Sequence, residues 1–151
     1  MHDVKISRQV EFAETDMAGL VHFSNYFRYA EAAEAALFRQ LDYPLIHVTR
    51  LTSEGWPRVR AHCDYSAPLF FGETFEVHLM VKALKIKAIE YVFRITKKVS
   101  DSETIRVAKG GFTSVFARLE KDSLEMQSVV IPDSLLERLS EAPEALIRGK
   151  T

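Results

Sequence analysis

The stretch N-Y-F-R-Y-A-E-A-A-E-A-A-L-F-R-Q-L, residues 25–41, is the one long segment of the chain with a helical pattern. Its five alanines favour a helix, and its apolar residues recur at three- and four-residue steps, which gives the helix one apolar face. That face consists of Tyr26, Tyr29, Ala30, Ala33, Ala36 and Leu37. Because many of these side chains are small, we expect the helix to lie close against another surface, such as a curled sheet.

Strand patterns surround this helix on both sides. Apolar and polar residues alternate in five segments: residues 4–12, 57–67, 75–82, 89–96 and 104–118. Alternation with a period of two predicts strands with one buried face. The last segment changes phase at Gly110-Gly111, which predicts a β-bulge. Consecutive long strands without intervening helices favour an antiparallel sheet, and one helix cannot cover both faces of it. We therefore predict an α+β fold in which the sheet curls around the helix.

Length and composition favour a single domain over residues 1–151, with residues 132–151 as a C-terminal helical tail that begins at Pro132. A net charge of -1 gives no reason to expect a nucleic-acid partner. No run of 18 apolar residues predicts a membrane span. The single cysteine, Cys63, excludes an internal disulfide framework and a multi-cysteine zinc site. We expect a cytoplasmic protein.

Several conspicuous side chains have ordinary structural interpretations. Cys63 lies on the apolar side of its strand and is predicted to pack in the core. His62 and His78 alternate outward and are predicted to lie on the surface. Glu31 and Glu34 are interpreted as solvated helix residues, with a glutamate that reaches a pocket as the alternative.

The connection E-T-D-M-A-G-L-V-H-F-S, residues 14–24, is harder to explain by turn chemistry alone. Gly19 suits a positive φ, and Ser24 or Asn25 can cap the helix. Asp16 can be an Asx-turn residue. It can also be a base or nucleophile beside the free N–H groups of the helix start, around His22 to Ser24, where a carbonyl would be polarised. His22 is a candidate for holding the substrate or the leaving group, with an exposed loop histidine as the alternative.

Two motifs give this chain a family resemblance. T-D-M-A-G-L-V-H-F-S-N-Y-F-R-Y-A-E, residues 15–31, resembles the T-D-x-x-G-x-V-x-x-x-N-Y-x-x-[YWF]-x-[ED] pattern of the 4-hydroxybenzoyl-CoA thioesterase family. D-Y-S-A-P-L-F-F-G-E, residues 64–73, resembles the second landmark of that family, an aromatic strand followed by Pro-Leu and a Gly-acid turn. The likeness extends from about Val4 to about Arg118.

The resemblance implies the hotdog fold, a curled antiparallel sheet around one long helix, and hydrolysis of acyl-CoA or aroyl-CoA thioesters without a metal or organic cofactor. It places the catalytic carboxylate on Asp16 and the carbonyl-polarising amide on Phe23. Members form dimers and often tetramers with the site between subunits, so we expect a homodimer or homotetramer paired through the strand at residues 57–67. Some members have proline where this chain has Met17 and an aromatic hydroxyl where it has Phe23. His22 matches a bacterial branch linked to acyl carrier metabolism, so the substrate is an acyl-CoA or an acyl carrier protein thioester.

Other positions are candidates for substrate contacts. Gly19, Asn25, Tyr26 and Phe27 are assigned to the substrate-binding surface, with the apolar part of residues 41–51 helping to shape an acyl pocket. Lys85 and Lys87, at a turn between strands, are candidates for contacts with CoA phosphates. Two other functions remain open. One is a hotdog hydratase or dehydratase that uses His22 with Glu31 or Glu34, although the F-P-G motif of such dehydratases is absent. The other is a non-catalytic acyl-CoA-binding module.

Overall fold

The computed structural model describes residues 1–149 and contains three α-helices and nine strands in that part of the chain. In chain order these are β1 (Asp3–Gln9), α1 (Asn25–Gln40), β2 (His47–Val48), β3 (Thr52–Gly55), β4 (Arg58–Tyr65), β5 (Thr74–Leu84), β6 (Ala88–Lys98), β7 (Thr104–Val115), β8 (Ala117–Glu120), β9 (Met126–Ser128), α2 (Asp133–Leu136) and α3 (Glu144–Arg148). None of the helices in residues 1–149 has the length and apolar character needed to cross a membrane.

The main sheet has five antiparallel strands in the order β1-β5-β6-β7-β4, and α1 packs against its inner face. All six residues of the predicted apolar helix face are buried. Tyr29 contacts the Phe75 ring on β5, with 4.5 Å between the centroids, and Phe27 contacts Phe93 on β6. A smaller sheet of four strands, in the order β2-β3-β8-β9, extends the fold beyond the end of α1. The predicted α+β class and the hotdog arrangement of sheet and helix are confirmed.

The first predicted strand is too long at its C-terminal end. Residues 4–12 were expected to alternate throughout, but β1 ends at Gln9 and Phe12 begins a short 3-10 helix, Phe12–Glu14. The ring of Phe12 is 77% exposed, although its place in the alternation predicted burial. β1 is an edge strand, so the chain can leave the sheet at its end. It does so at Val10, whose N–H donates to the carbonyl of Glu73, in the turn before β5, at 2.9 Å.

The predicted strand at residues 104–118 divides at Phe116 into β7 and β8, which belong to different sheets. Its bulge lies at Val107, not at Gly110-Gly111, because Ala108 and Arg106 pair with the consecutive residues Ile95 and Thr96 of β6. The glycines at this position are explained by close packing and not by a bulge. A Cβ on Gly110 would collide with the His62 carbonyl oxygen and lie 2.6 Å from the Phe93 ring, so the glycine permits close packing.

β4 is the other edge of the main sheet, and most of its side chains are exposed. Val59 is 63% exposed despite its place in the apolar alternation. Cys63 is half-buried and packs against the core, as predicted, and burial raises the pKa of its thiol. His62 is exposed, also as predicted.

Two other surface assignments are wrong because covering elements were not foreseen. His78 is buried, and its Nε2 lies 2.7 Å from the Asp3 carboxylate. The same outer face of β5 is covered at Met80, against which Ala142, Leu146 and Ile147 pack. The Ala142 N–H donates to the Val81 carbonyl at 2.8 Å. The predicted tail at 132–151 therefore contains two short helices that are anchored to the sheet, and its last two residues lie outside the described part of the chain.

Glu34 is the second exception to the surface assignments. Its side chain is 1% exposed on the inner side of α1 and forms a salt bridge with the Arg58 guanidinium, whereas Glu31 is exposed as predicted. Arg58 also donates to the Ser114 hydroxyl at 2.7 Å and lies 4.4 Å from the Phe112 ring centroid. Burial raises the pKa of the Glu34 carboxyl, and Arg58 opposes that rise.

Candidate active site

The loop between β1 and α1 is held in place by one bridge within the loop and by pairings with the turn before β5. Thr15 bridges Val21, Leu20 bridges Phe70, and the Val21 N–H donates to the Leu69 carbonyl at 2.9 Å. Gly19 has a φ of 80°, a value that favours glycine, so its predicted turn role is confirmed. These pairings place residues 16–20 in a tight, exposed turn at the N-terminal end of α1.

Asp16 is both an Asx-turn residue and a carboxylate with one unused oxygen. Its Oδ1 accepts from the Ala18 N–H at 2.8 Å and from the Leu20 N–H at 3.2 Å. Its backbone N–H donates to the Leu20 carbonyl at 2.7 Å. No hydrogen bond within residues 1–149 uses Oδ2. Since both bonds fall on Oδ1, the turn orients the carboxylate and leaves Oδ2 available to a substrate or water.

The helix start is not capped as predicted. Neither Ser24 nor Asn25 makes a side-chain cap hydrogen bond. Asn25 is buried, and its Nδ2 donates at 2.8 Å to the Glu14 carbonyl, which also accepts from the His22 N–H at 2.9 Å. Asn25 thus joins the loop to the helix, because a buried amide needs a partner. This gives Asn25 a positioning role in the structure.

The peptide unit between His22 and Phe23 presents a free donor. Its carbonyl, that of His22, accepts from the Asn25 N–H at 2.9 Å and therefore points into the helix. In a planar trans peptide the N–H points the opposite way, so the Phe23 N–H faces out of the helix start. Within residues 1–149 this N–H has no acceptor. The helix dipole adds partial positive charge at the same place.

Tyr65 of β4 holds the next peptide unit. Its hydroxyl donates to the Phe23 carbonyl at 3.0 Å, and its ring lies edge-on to Tyr26 with 5.0 Å between the centroids. Partial burial, with Cys63 close by, raises the pKa of Tyr65 to about 12, so the phenol stays a donor at neutral pH. The helix start is therefore fixed from the sheet side as well.

Asp16, His22, Phe23 and Tyr26 line one shallow depression of about 410 Å³, together with Tyr65 and Pro68. We call it the amide pocket. His22 is exposed there, and its Nδ1 lies 2.7 Å from the Ser24 hydroxyl. The Ser24 N–H also points to Nδ1 at 3.4 Å, so Nδ1 is the acceptor and Nε2 carries the hydrogen of the neutral ring. The structure thus brings together the three predicted catalytic residues.

The other predicted contacts lie elsewhere in the single chain. Phe27 is partly buried and packs on Phe93 at the edge of the core. Residues 41–51 follow the far end of α1, about 24 Å along the helix axis from its start. Lys85 and Lys87 lie at the turn between β5 and β6, whereas the Asp16 loop pairs with the turn before β5. About 35 Å of strand separates these two ends of β5.

Sequence reasoning missed the second side of the amide pocket. Tyr65, Ser66, Ala67 and Pro68 line it opposite Asp16. These residues belong to the second landmark motif, so a signal was present, but the motif alone did not show that it faces the first one.

Known proteins resemble this chain in sequence and in fold. A family described as the thioesterase-like superfamily matches residues 10–139. A protein of Aquifex aeolicus (strain VF5) with the provisional name of an esterase is 34% identical over 134 residues, which cover 89% of this chain and 95% of that protein. A 1,4-dihydroxy-2-naphthoyl-CoA hydrolase of Gloeothece citriformis (strain PCC 7424) is 31% identical over 96 residues, or 64% of this chain and 67% of that one. The solved structure of 4-hydroxybenzoyl CoA thioesterase from Pseudomonas sp. strain CBS-3 is 18% identical, with a TM-score of 0.75 and coverage of 91% of this chain and 99% of that chain. At that identity it shows a common fold.

Proposed function

This chain belongs to the thioesterase-like superfamily, and we propose that it hydrolyses acyl-CoA or aroyl-CoA thioesters with Asp16 as the catalytic carboxylate. A hydrolase of 1,4-dihydroxy-2-naphthoyl-CoA is among its relatives, which supports the substrate class. The observation that carries the proposal is one pocket lined by both Asp16, whose Oδ2 makes no hydrogen bond within residues 1–149, and Phe23, whose N–H has no acceptor there.

The Phe23 amide is the proposed oxyanion donor. When a thioester carbonyl is attacked, negative charge develops on its oxygen, and a fixed N–H aimed at that oxygen stabilises the transition state. The amide is fixed because the His22 carbonyl of the same peptide unit is bonded to the Asn25 N–H. The exposed Phe23 ring plays no part in this role, so the absence of a hydroxyl there does not weaken the proposal.

Asp16 acts in one of two ways. Its Oδ2 attacks the carbonyl carbon, expels the CoA thiolate and forms an anhydride that water hydrolyses. Alternatively, Oδ2 takes a proton from a water molecule that attacks the same carbon. The two N–H groups on Oδ1 orient the carboxylate in both cases. His22 supports either route as a donor, because its Nε2–H is directed by the bonds at Nδ1.

The structure favours hydrolysis over the hydratase alternative. A hydratase needs His22 and a helix glutamate at one site, but Glu34 is paired with Arg58 and Glu31 is exposed. Neither glutamate lines the amide pocket. Glu34 also lies nine residues after Asn25, the first residue of α1, which is about 14 Å along the helix axis.

We further propose that the active enzyme is a homodimer or homotetramer paired through β4. This strand has no neighbour on its outer side within residues 1–149, and an exposed edge is normally covered or paired. Pairing two β4 strands about a two-fold axis would join their free N–H and C=O groups. Light scattering tests this directly, and a monomer at micromolar concentration would contradict it. Cytoplasmic location and an acyl carrier protein thioester as substrate stay predictions.

Asp16→Asn tests the central proposal. Asparagine keeps an oxygen that can accept from the Ala18 and Leu20 N–H groups, so the turn should persist. The amide cannot attack or accept a proton effectively, so kcat should fall at least about a hundredfold, since general base catalysis is worth ~10²–10⁴-fold. KM should change little because the loss is confined to the chemical step.

The measurement is thiol release from a panel of acyl-CoA and aroyl-CoA thioesters, with affinity measured on the same preparation. Asp101→Asn, an exposed aspartate in the turn between β6 and β7, is the control and should keep wild-type turnover. Wild-type turnover by Asp16→Asn would refute the catalytic role. Binding without thiol release by the wild-type protein would indicate a non-catalytic binding module.

A further inference from the structure

A second depression adjoins Asp16 on the side away from Phe23, and its lining is mostly apolar. It has a volume of about 530 Å³ and is lined by Phe12, Met17 and Phe71, together with Thr15, Asp16 and Gly19. We call it the apolar groove. Phe12, Met17 and Phe71 are 77%, 107% and 61% exposed. Three large apolar side chains clustered on the surface mark a contact site.

The groove is built by fixed elements. The Phe12 and Phe71 rings meet edge to face with 5.9 Å between their centroids. The Gly72 N–H donates to the Val10 carbonyl at 3.1 Å, which joins the two turns that carry these rings. The Thr15 hydroxyl donates to the Phe12 carbonyl at 2.7 Å, so its hydrogen is not available to a ligand. Asp16 is left as the charged group of the groove.

This arrangement matches the two arms of a thioester. The arms diverge from the reacting carbonyl, and Asp16 is the residue common to both depressions. The amide pocket offers His22, Tyr65 and Ser66, which suit the amide-bearing pantetheine arm. The apolar groove has no cation for a phosphate, and its one charge would repel the nucleotide end of CoA. Only an uncharged acyl arm fits there.

We propose that the apolar groove is the acyl-binding subsite and selects substrates with extended hydrophobic acyl groups. This inference rests on the proposed hydrolysis at Asp16 and adds the substrate class. The acyl group is thereby assigned to Phe12, Met17 and Phe71, and not to residues 41–51 as the sequence predicted. Each methylene that leaves water on these rings should strengthen binding roughly fourfold, until the groove is full.

The experiment uses a straight-chain series, from acetyl-CoA through hexanoyl-CoA to decanoyl-CoA. Thiol release gives kcat and KM, and calorimetry on the Asp16→Asn background gives affinity without turnover. In the otherwise wild-type chain, affinity should rise with chain length. In Phe71→Ser and Met17→Ser, the ratio of decanoyl-CoA to acetyl-CoA affinity should fall about tenfold or more. Leu124→Ser is the control: Leu124 is 75% exposed in the turn between β8 and β9, so the ratio should not change.

Three results would overturn the subsite: affinity independent of chain length, an unchanged ratio in Phe71→Ser, or a lower oligomeric state in that variant by light scattering. The last would make the groove a subunit interface. Failure of the proposed function looks different, because wild-type protein would then release no thiol from any substrate. The affinity series still decides the role of the groove in that case.

Discussion

Asp16 and Glu34 are two carboxylates on the same helix-loop unit, and they differ in burial and in hydrogen-bond partners. Asp16 lies on an exposed turn, where two backbone N–H groups hold one oxygen and the other is unused. Glu34 is 1% exposed in the core, and its charge is matched by Arg58. Burial, often taken as a sign of importance, here marks the carboxylate that contributes to the fold.

The difference suggests why Asp16, and not Glu34, is the carboxylate that we propose as reactive: its free oxygen is accessible to a substrate. A charge in the core must be paired, and the pairing removes it from chemistry. A carboxylate at an open helix start costs little to keep charged and can still meet a substrate. The comparison predicts that changes around Glu34 alter stability and that changes around Asp16 alter rate.

Glu34→Ala should cause the largest loss of stability. It removes a fully buried side chain and leaves Arg58, whose side chain is 30% exposed, without its carboxylate, so the loss should lie at the lower end of the ~3–5 kcal/mol that breaking a buried pair costs. Chemical denaturation at neutral pH should show the midpoint shift. Glu31→Ala, on the exposed side of the same helix, is the matched control and should stay within about 0.5 kcal/mol of wild type.

A double variant isolates the pair itself. Glu34→Leu with Arg58→Met replaces both charges by apolar groups and should recover most of the lost stability, since such replacements are often neutral or stabilising. If Glu34→Ala unfolds like wild type, the salt bridge is not a structural element and the comparison fails.

Two glycines give the next test. Gly110→Ala forces a Cβ against the His62 backbone and the Phe93 ring, and overpacking of this kind costs about 1–3 kcal/mol. Gly19→Ala meets no atom within 4 Å but must adopt a φ of 80°, a strain of about 1 kcal/mol. We expect the first to lower Tm more. The second should lower kcat as well, because Gly19 shapes the Asp16 turn. Equal Tm shifts would show that β4 and β7 can separate at Gly110.

The smallest effect concerns His78 and pH. Burial lowers the pKa of His78 below its ordinary value of 6.5, although the hydrogen bond to Asp3 acts against this, while Lys5 and Arg94 add to it. The unfolded chain therefore binds the proton first as pH falls, so stability decreases as pH drops from 6.5 through the folded-state pKa. Between pH 7.5 and 5.5, His78→Gln should show a shallower decrease in unfolding free energy than wild type. Identical slopes would exclude His78 as the source.

Much of this fold is predictable from local pattern. The helix face from Tyr26 to Leu37 and the positions of β5, β6 and β7 follow from periodicity, because each has one side in the core. The predictions of burial are wrong where a segment distant in sequence covers a face that was expected to be exposed, or where no segment covers a face that was expected to be buried. Met80 and His78 are covered by chain termini, and Val59 is exposed on an edge. Periodicity describes the faces of a segment but does not show which segment packs against it.

The site shows the same limit in another form. Asp16, His22 and Phe23 could be proposed together as catalytic residues because one motif holds them within eight residues. Tyr65 could not, since its hydroxyl reaches Phe23 across 42 residues of sequence. The Glu34 prediction was wrong because its three-residue spacing grouped it with Glu31, which is exposed. In the structure the Glu34 side chain faces inward and pairs with Arg58.

The order of strands in the main sheet has a consequence for how the chain is made. β1 is synthesised first, yet Asp3 pairs with Met80 on β5, while β5, β6 and β7 follow one another through short turns. Local pairings form before distant ones, so the β5-β6-β7 meander is the expected nucleus. Until β7 leaves the ribosome, the sheet that covers the apolar face of α1 is incomplete. At ~5–20 residues per second, that interval lasts roughly 4–15 s. Apolar surface that is exposed during such an interval favours aggregation and chaperone binding.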